Sequence, residues 1–235
     1  MKVAIMQPYF LPYIGYFQLI NAVDVFVVYD NVEYTKKGWI NRNRILVNGK
    51  DEFITLPLKK DSDFLHINQR FLADSNKQDK EKMLRKIKEC YRKAPNYQEA
   101  FALTEEIFSF NSANLFEFVF NSIKVVCDYL EIKTKFTLSS TINIDHMLKS
   151  EEKVIAICRQ LKASKYINPI GGKELYSKKT FQLNGFNLCF IKTQDFQYKQ
   201  QGEIFIPFLS IIDVIMFNSK DEVKKNVNFG YGLTY

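Results

Sequence analysis

The sequence is poor in the residues and motifs that carry most hydrolytic, metal-dependent and nucleotide chemistry. It has two histidines, His66 and His146, and neither has a second ligand nearby at metal-binding spacing. It also lacks a G-x-S-x-G elbow, a P-loop and a G-x-G-x-x-G turn. These absences argue against a Ser-His-Asp hydrolase. They also predict no metal site, and surface or structural roles for both histidines.

Cysteines and long apolar runs are scarce too. The four cysteines lie 31 to 37 residues apart and form no C-x-x-C pair: Cys90, Cys127, Cys158 and Cys189. This spacing favours free, buried thiols and therefore a reduced, cytoplasmic compartment. No run of 18 apolar residues exists, so no membrane span is expected. Asp24 and Asp30 come too early for a secretory signal.

The composition is that of a globular protein with a basic balance. Hydrophobic residues make up 46% of the chain and charged residues 25%, which predicts one domain over residues 1–235 with a buried core. The formal charge of +7 suggests acidic partners such as phosphates or nucleotides. Because the basic run Lys82–Lys93 also contains Glu89 on one predicted helix, we interpret it as a solvated face. Without a nucleic-acid-binding motif we expect no nucleic-acid partner, although the charge keeps that as a third hypothesis.

The N-terminal residues have the pattern of a strand–loop–helix–strand unit. Val3–Met6 and Val25–Tyr29 are apolar runs typical of short buried strands, and Tyr13–Asn21 can form a helix with an apolar face. Such a unit places the loop after its first strand at the carboxyl edge of a parallel sheet, where open α/β sheets bind ligands. That loop begins at Gln7 and is rich in proline and tyrosine.

The remaining elements complete an α/β pattern. Asn48-Gly49, between the strand-like runs Ile40–Val47 and Phe53–Leu58, predicts a β-hairpin. The other predicted strands are Lys135–Ser139, Tyr166–Pro169 and Phe186–Lys192. The predicted helices are Asp79–Lys93, Tyr97–Phe108, Ser112–Leu130, Ser150–Leu161 with Ser150 as N-cap, a brief one near Tyr176, and Pro207–Phe217 with Pro207 in its first turn. This order predicts a mostly parallel sheet with a hairpin and a helical insertion at about 79–131.

Several residues at the predicted sheet edge are suited to ligand binding. The Gln7 amide ends the first strand, and a helix starting near Tyr13 offers unpaired N–H groups to a phosphate or carboxylate. Gly15 would allow close approach of a ligand or another backbone, although the whole loop could instead be an aromatic plug under the helix. Asp30 ends the second strand, where it would bind a hydroxyl, an amine or Mg²⁺, or form a turn.

The hairpin and the C-terminal helix supply further candidates. Arg42 and Arg44 share one face of a strand and could bind a carboxylate or phosphate bidentately, while Asn41 and Asn43 would face the other way. Lys36 and Lys37 could add charge to that site; the alternative is a solvated hairpin face. Ser210 and Asp213 lie on one face of an otherwise apolar helix. Asp213 either faces a site or pairs with an arginine such as Arg42.

Two blocks of the sequence resemble the WbqC-like family. The first is Ala4–Tyr16 with Asp24–Val27 and Asn41–Ile45; the second is Tyr198, Gln200 or Gln201, and Phe205–Asp213; Gly171, Gly172 and Tyr176 fit a weaker third block. The resemblance implies a role in bacterial surface polysaccharide biosynthesis, including the O-antigen of lipopolysaccharide. It implies transfer of glycine or a similar acyl group to a nucleotide-linked or lipid-linked sugar.

A more distant resemblance is to nucleotidylyltransferase-type, Rossmann-like α/β proteins, a group that includes pantothenate synthetase. These carry an H-x-G-H motif at the helix start, and the matching residues here are Tyr13-Ile14-Gly15-Tyr16. Tyrosines donate hydrogen bonds to phosphate oxygens but supply no imidazolium charge. Arg42, Arg44 and Lys36 would have to provide the positive charge, so the departure argues against ordinary nucleotidyl transfer.

Two main hypotheses follow. In the first, the chain is an acyl transferase; if ATP is used, an acyl-adenylate is the natural intermediate. In the second, it is a non-catalytic nucleotide-sugar-binding or accessory protein with a degenerate site. The residues expected to act in catalysis are Gln7, Tyr13, Tyr16, Asp30 and Arg42. Those expected to bind the nucleotide-sugar or amino-acid substrate are Tyr9, Pro12, Gly15, Lys36, Asn41, Asn43, Arg44, Tyr198, Gln201, Ser210 and Asp213.

Overall fold

A computed structural model of the chain describes residues 1–234. The strands are β1 (Lys2–Met6), β2 (Val25–Val28), β3 (Arg42–Val47), β4 (Lys50–Thr55), β5 (Lys135–Leu138), β6 (Lys165–Pro169), β7 (Asn187–Thr193) and β8 (Tyr231–Thr234). The helices are α1 (Ile14–Asn21), α2 (Asn76–Tyr91), α3 (Tyr97–Ser109), α4 (Leu115–Tyr129), α5 (Ser150–Gln160), α6 (Lys178–Leu183), α7 (Ile211–Phe217) and α8 (Lys220–Phe229). Short 3-10 helices cover Ile67–Gln69, Ser139–Thr141 and Ile170–Leu175.

A six-stranded sheet with the order β5-β2-β1-β6-β7-β8 forms the centre of the fold. Neighbouring strands run parallel except for β8, which pairs antiparallel with β7. Strands β3 and β4 form a separate antiparallel hairpin. The predicted Rossmann-like α/β class with a mostly parallel sheet is therefore confirmed. The chain leaves β1 toward β2 on one side and later fills β6 on the other, so the switch point of the sheet lies beside β1.

Helices cover both faces of this sheet, which explains why β1 and β2 are continuous apolar runs rather than alternating ones. Ala4 and Phe26 point into a core formed with α1, α3, α4, α7 and α8. Val3 and Ile5 point to the opposite core with α5 and α6. Among residues 1–234, every helix is too short or too polar to cross a lipid bilayer.

The C-terminal quarter differs from the sequence prediction. The apolar helix begins at Ile211 rather than Pro207, because Phe208 has a left-handed φ of 59° and Ser210 is the N-cap that accepts a hydrogen bond from the Ile212 N–H. Helix α8 and strand β8 follow it and are not among the predicted elements. A capping box between Ser219 and Glu222 starts α8, and this local signal could have revealed it.

Two further predictions need correction. Ser150 is not the N-cap of α5: the cap is Lys149, and Ser150 has a positive φ of 47° at the first helical position. The second hairpin arm is Lys50–Thr55 rather than Phe53–Leu58. Asn48 and Gly49 both have positive φ, as a tight two-residue turn requires, so Val47 pairs directly with Lys50.

Candidate functional site

A cleft of about 370 Å³ lies where the loop after β1 meets the hairpin, and we call it the aromatic cleft. Its lining residues are Tyr9, Pro12, Tyr13, Trp39, Asn43, Arg44 and Phe208. Five of these were expected substrate or catalytic residues: Tyr9, Pro12, Tyr13, Asn43 and Arg44. The cleft therefore joins the carboxyl edge of β1, next to the switch point of the sheet, to the outer hairpin.

Buried amide and hydroxyl groups fasten the hairpin to the loop after β1. The Asn43 side chain is buried and its Nδ2 donates to the carbonyls of Phe10 (3.0 Å) and Leu11 (2.8 Å). The Ser210 hydroxyl donates to the same Leu11 carbonyl at 2.9 Å, and the Ser210 N–H donates to the Arg44 carbonyl at 2.9 Å. Since these groups are already hydrogen-bonded within the protein, Asn43 and Ser210 act as positioning residues for the cleft.

Arg44 is the cation that lines the aromatic cleft. Its Nη1 lies 2.8 Å from Asp51 Oδ2, and its guanidinium carbon lies 5.7 Å from the centroid of the Trp39 ring. Its Nη2 also donates to the Phe208 carbonyl at 3.5 Å, while its buried Nε has no hydrogen-bond partner. The guanidinium is thus oriented by its neighbours, and its Nε and one hydrogen on each Nη atom have no hydrogen-bond partner among the described residues.

Arg42 shares the strand face of Arg44, as expected from their spacing, but does not line the cleft. Its guanidinium carbon lies 4.4 Å from the Phe53 ring centroid. Its Nε donates to the Gly38 carbonyl at 3.1 Å, and its Nη2 donates to the Lys37 carbonyl. Arg42 therefore holds the segment that ends at Trp39.

The tyrosines of the first motif divide into cleft residues and packing residues. Burial raises the pKa of Tyr9 and of Tyr13, and a hydrogen bond with Thr193 lowers that of Tyr13 in part. Tyr16 is buried, donates its hydroxyl to the Gln7 carbonyl at 2.9 Å, and has a pKa raised well above the usual value by burial. The cleft tyrosines are therefore neutral hydrogen-bond donors near pH 7, and Tyr16 fixes the start of the loop.

Gly15 leaves room for the side chain of Tyr13, which lines the cleft. A Cβ atom at Gly15 would overlap the Tyr13 ring and the Thr193 hydroxyl. Gly15 itself is buried in α1 and does not line the cleft. The predicted close approach thus occurs, but to another part of the protein. Gln7 is half-buried at the end of β1 and likewise lies outside the cleft.

Asp213 lies at the centre of a buried hydrogen-bond network. Its Oδ1 accepts from the Tyr198 hydroxyl (2.5 Å) and from Gln200 Nε2 (3.1 Å), and its Oδ2 accepts from the Tyr91 hydroxyl (2.8 Å). Desolvation raises the pKa of Asp213, and these hydrogen bonds lower it in part. The partner of Asp213 is therefore this network rather than an arginine. The buried glutamine is Gln200, whereas Gln201 is exposed.

Asp30 is buried at the end of β2 and is fully occupied by protein donors. Its carboxylate accepts hydrogen bonds from the Ser139 hydroxyl, from the N–H and hydroxyl of Ser140, and from Asn68 Nδ2, at 2.6 to 2.9 Å. Asp30 thus ties β2 to the segment that follows β5. It does not present a free carboxylate to the aromatic cleft.

Lys36 and Asn41 lie outside the aromatic cleft. Both line a separate cavity of about 340 Å³, whose floor includes Arg70. Lys36 is exposed and forms a 2.7 Å ion pair with Asp63, and the buried Asn41 donates to the Leu56 carbonyl at 2.9 Å. The residues predicted to bind the substrate therefore do not form one site. Some line the aromatic cleft, Lys36 and Asn41 line the second cavity, and Tyr198 and Asp213 belong to the buried network. Gly15 and Gln201 lie in none of these.

Sequence reasoning missed two walls of the aromatic cleft, Trp39 and Phe208. Trp39 is 39% exposed and Phe208 is 65% exposed, although both are large and apolar. The Phe208 ring packs edge-on against Tyr13, with centroids 5.9 Å apart. Trp39 is the only tryptophan of the chain and follows a glycine in a polar segment. A large aromatic residue in such a segment is a sequence signal for a ligand-binding residue.

The histidines and cysteines lie away from the cleft. His146 Nδ1 is 2.9 Å from Asn31 Nδ2, and His66 is exposed at the start of a 3-10 helix. In the part of the chain that the structure describes, no group of three or more histidine, cysteine or acidic residues could hold a metal ion. The four cysteines are free, and burial raises the pKa of Cys158 to about 12.

Comparison with protein-family profiles identifies one family for this chain. The profile of the WbqC-like protein family matches residues 7–225. An uncharacterized protein of Mycobacterium tuberculosis, Rv1507c, is 28% identical over 219 residues, which cover 92% of this chain and 93% of the relative. No solved structure matches the chain significantly.

Proposed function

This chain belongs to the WbqC-like protein family, and on that premise we propose that it transfers glycine or a similar acyl group to a nucleotide-linked or lipid-linked sugar. The reaction would serve surface polysaccharide (O-antigen) biosynthesis in the cytoplasm. The observation that carries the proposal is the aromatic cleft at the switch-point edge of the sheet, which combines exposed rings with an oriented guanidinium. Open α/β folds bind their ligands at this edge.

The lining of the cleft suits a sugar nucleotide. Aromatic faces such as those of Trp39 and Tyr9 stack with a base or with the apolar face of a sugar ring. Arg44 supplies a planar cation for a phosphate oxygen, and Asp51 shares only part of its donor set. The Tyr13 hydroxyl adds a neutral donor at the start of α1, where backbone N–H groups also favour an anion.

Acyl transfer places one demand on these groups. An amine or hydroxyl of the sugar would add to the acyl carbon, which places negative charge on the carbonyl oxygen. When the carbonyl reforms, the leaving group departs with the bonding electrons, and the proton of the amine or hydroxyl passes to the leaving group or to water. Arg44 and the Tyr13 hydroxyl are the cleft donors that would stabilise this charge. ATP would supply activation of the acyl group if the donor is a free amino acid.

One observation favours a second function, that of a non-catalytic nucleotide-sugar-binding or accessory protein. The residues that line the aromatic cleft include no carboxylate, histidine or cysteine. Its ionisable side chains are the two tyrosines, whose pKa values are raised by burial, and Arg44. Such a lining binds an anion but contains no base that accepts a proton near pH 7.

The single tryptophan provides a direct binding test. We expect emission of Trp39 to change when uridine, guanosine or thymidine diphosphate sugars are titrated into the protein. Arg44→Ala should weaken binding at least about tenfold, whereas Arg85→Ala, an exposed arginine on α2, should not. If none of these sugar nucleotides changes the Trp39 emission of the wild type, the proposed site would be contradicted.

Turnover separates the two functions. Radiolabelled glycine, ATP and each bound sugar nucleotide are incubated with the protein, and glycine-dependent exchange of pyrophosphate into ATP is measured in parallel. Incorporation of label into the sugar supports the transferase. Binding at Trp39 without incorporation or exchange favours the accessory protein.

A further inference from the structure

The cavity that contains Lys36 and Asn41 has a chemistry of its own, and we call it the basic pocket. Its volume is about 340 Å³, and Tyr34, Asn41 and Arg70 lie among its lining residues. None of its lining residues contributes to the aromatic cleft. The two cavities therefore offer separate binding surfaces.

Arg70 is a buried cation without an anionic partner. The residue is 5% exposed, and its guanidinium carbon lies 5.0 Å from the centroid of the Tyr34 ring. Nη1 donates to the Ser62 carbonyl (2.7 Å), Nη2 donates to the Lys59 carbonyl (3.5 Å), and the buried Nε has no partner. Across residues 1–234, no carboxylate lies within ion-pair distance of Arg70. A buried charge is costly unless it is neutralised, so this arrangement indicates a ligand.

The rim of the basic pocket carries lysines and carboxylates. Lysines 36, 59 and 60 outnumber the lining carboxylates Asp61 and Asp63. Lys36 pairs with Asp63 and Lys59 pairs with Asp74, each at 2.7 Å, and Lys60 is exposed. Among the described residues, Lys60 is the rim lysine without an ion pair, so it is the lysine that an anion entering from solvent would meet before it reached the guanidinium.

Hydrogen bonds within the protein position the residues of the pocket floor. The Tyr34 hydroxyl donates to Asn41 Oδ1 at 2.8 Å, and Asn41 Nδ2 donates to the Leu56 carbonyl at 2.9 Å. Tyr34 in turn supports the face of the Arg70 guanidinium. Each Nη atom of an arginine carries two hydrogens, so the carbonyl contacts leave donors on both Nη1 and Nη2. Preorganised arginine donors are the usual partners of phosphate oxygens.

We propose that the basic pocket binds a phosphate or pyrophosphate group through Arg70, with Lys60 and Lys36 at its rim. The group could belong to a soluble polyphosphate or to a lipid headgroup, which share the same recognition chemistry. This assignment does not depend on the function proposed for the aromatic cleft.

Calorimetry with inorganic pyrophosphate tests the proposal on the full chain. We expect binding that weakens at least about tenfold in Arg70→Lys and severalfold in the exposed rim variant Lys60→Glu. Arg85→Ala, at an exposed position outside both cavities, should bind like the wild type. If Arg70→Lys does not fold, as judged by circular dichroism, Lys60→Glu and the double variant Lys36→Glu/Lys60→Glu carry the test. Absence of binding to the wild type, or equal affinity in the wild type and the rim variants, would each overturn it.

Two additional measurements identify the source of the phosphate and separate this site from the aromatic cleft. Sedimentation with vesicles of phosphatidic acid in phosphatidylcholine, with and without competing pyrophosphate, reports a lipid headgroup; binding of pyrophosphate alone reports a soluble ligand. Either result supports the site when Lys60→Glu reduces it. The Trp39 response to sugar nucleotides should be unchanged in Lys60→Glu, so failure of one site leaves the test of the other intact.

Discussion

Replacement of Asp213 tests whether the buried network holds the cleft together. Asp213 is fully buried and accepts three hydrogen bonds from Tyr91, Tyr198 and Gln200. The Tyr91 hydroxyl also accepts the Leu46 N–H at 2.8 Å, so the network joins α7, α2 and β3. Any change at Asp213 should therefore reach the hairpin that carries Arg44.

The expected magnitude follows from the partners that remain. In Asp213→Ala the Tyr91 and Tyr198 hydroxyls both lose an acceptor, whereas Gln200 Nε2 keeps the Ile206 carbonyl at 2.9 Å. Hydrogen bonds to a charged group contribute about 1.5–3 kcal/mol each. Removing the cost of the buried carboxylate offsets part of this sum, so we expect a loss of about 3 kcal/mol in the free energy of unfolding.

The pH dependence gives an independent check with a definite sign. Burial raises the pKa of Asp213 in the folded state, so the folded chain binds this proton more readily than the unfolded chain. The stability of the wild type relative to Asp213→Asn should therefore increase as the pH falls through the folded-state pKa, and decrease as the pH rises through it. Because both proteins share every other titrating group, the difference isolates Asp213.

Urea unfolding, followed by circular dichroism between neutral and mildly acidic pH, measures both effects. An Asp213→Ala loss below about 0.5 kcal/mol, which is within the usual effect of a surface change, would refute the reasoning about the network. If the free energy of unfolding of the wild type relative to that of Asp213→Asn stays constant or decreases on acidification, the inferred rise in the pKa of Asp213 would be refuted.

Three further predictions concern the cleft and the thiols. Asn43→Ala should cost about 2–4 kcal/mol in urea unfolding and weaken the Trp39 response, because it leaves the Phe10 carbonyl without its donor; an unchanged response would contradict its positioning role. Gly15→Ala should destabilise by about 1–3 kcal/mol through overlap with Tyr13, whereas the control Gly171→Ala has open space; equal effects would contradict this. With a thiol reagent, half-buried Cys90 should react first, and rapid reaction of buried Cys158 would contradict its raised pKa.

Local patterns were sufficient for most of the fold. The apolar runs of β1 and β2, the spacing of apolar residues in the middle helices and the Asn48-Gly49 turn are each determined by neighbours in sequence. The prediction for the C-terminal region was wrong because its structure is not determined by neighbours in sequence. A left-handed Phe208 and the N-cap role of Ser210 depend on contacts with Leu11 and Arg44, which are distant in the chain.

The candidate site was only partly predictable. Strand parity placed Arg42 and Arg44 on one face and Asn43 on the other, and the structure has this arrangement. Parity cannot show that the Arg42 guanidinium stacks on Phe53 while Arg44 reaches the cleft. Nor can it show that Asp30 is enclosed by Ser139, Ser140 and Asn68.

By itself, the sequence determined the class of fold, the edge of the sheet at which to look and the family, because periodicity and short motifs are local properties. Only the tertiary structure decided which polar residues line a cavity and which are buried in hydrogen bonds within the protein. Burial and hydrogen-bond partners depend on segments far apart in the chain: Asn43 with Leu11, Tyr198 with Asp213, and Arg70 with Tyr34. For that reason part of the predicted site lies in an aromatic cleft, part in a basic pocket and part in a buried network that joins the helices to the hairpin, while Asp30 and Arg42 make structural contacts elsewhere.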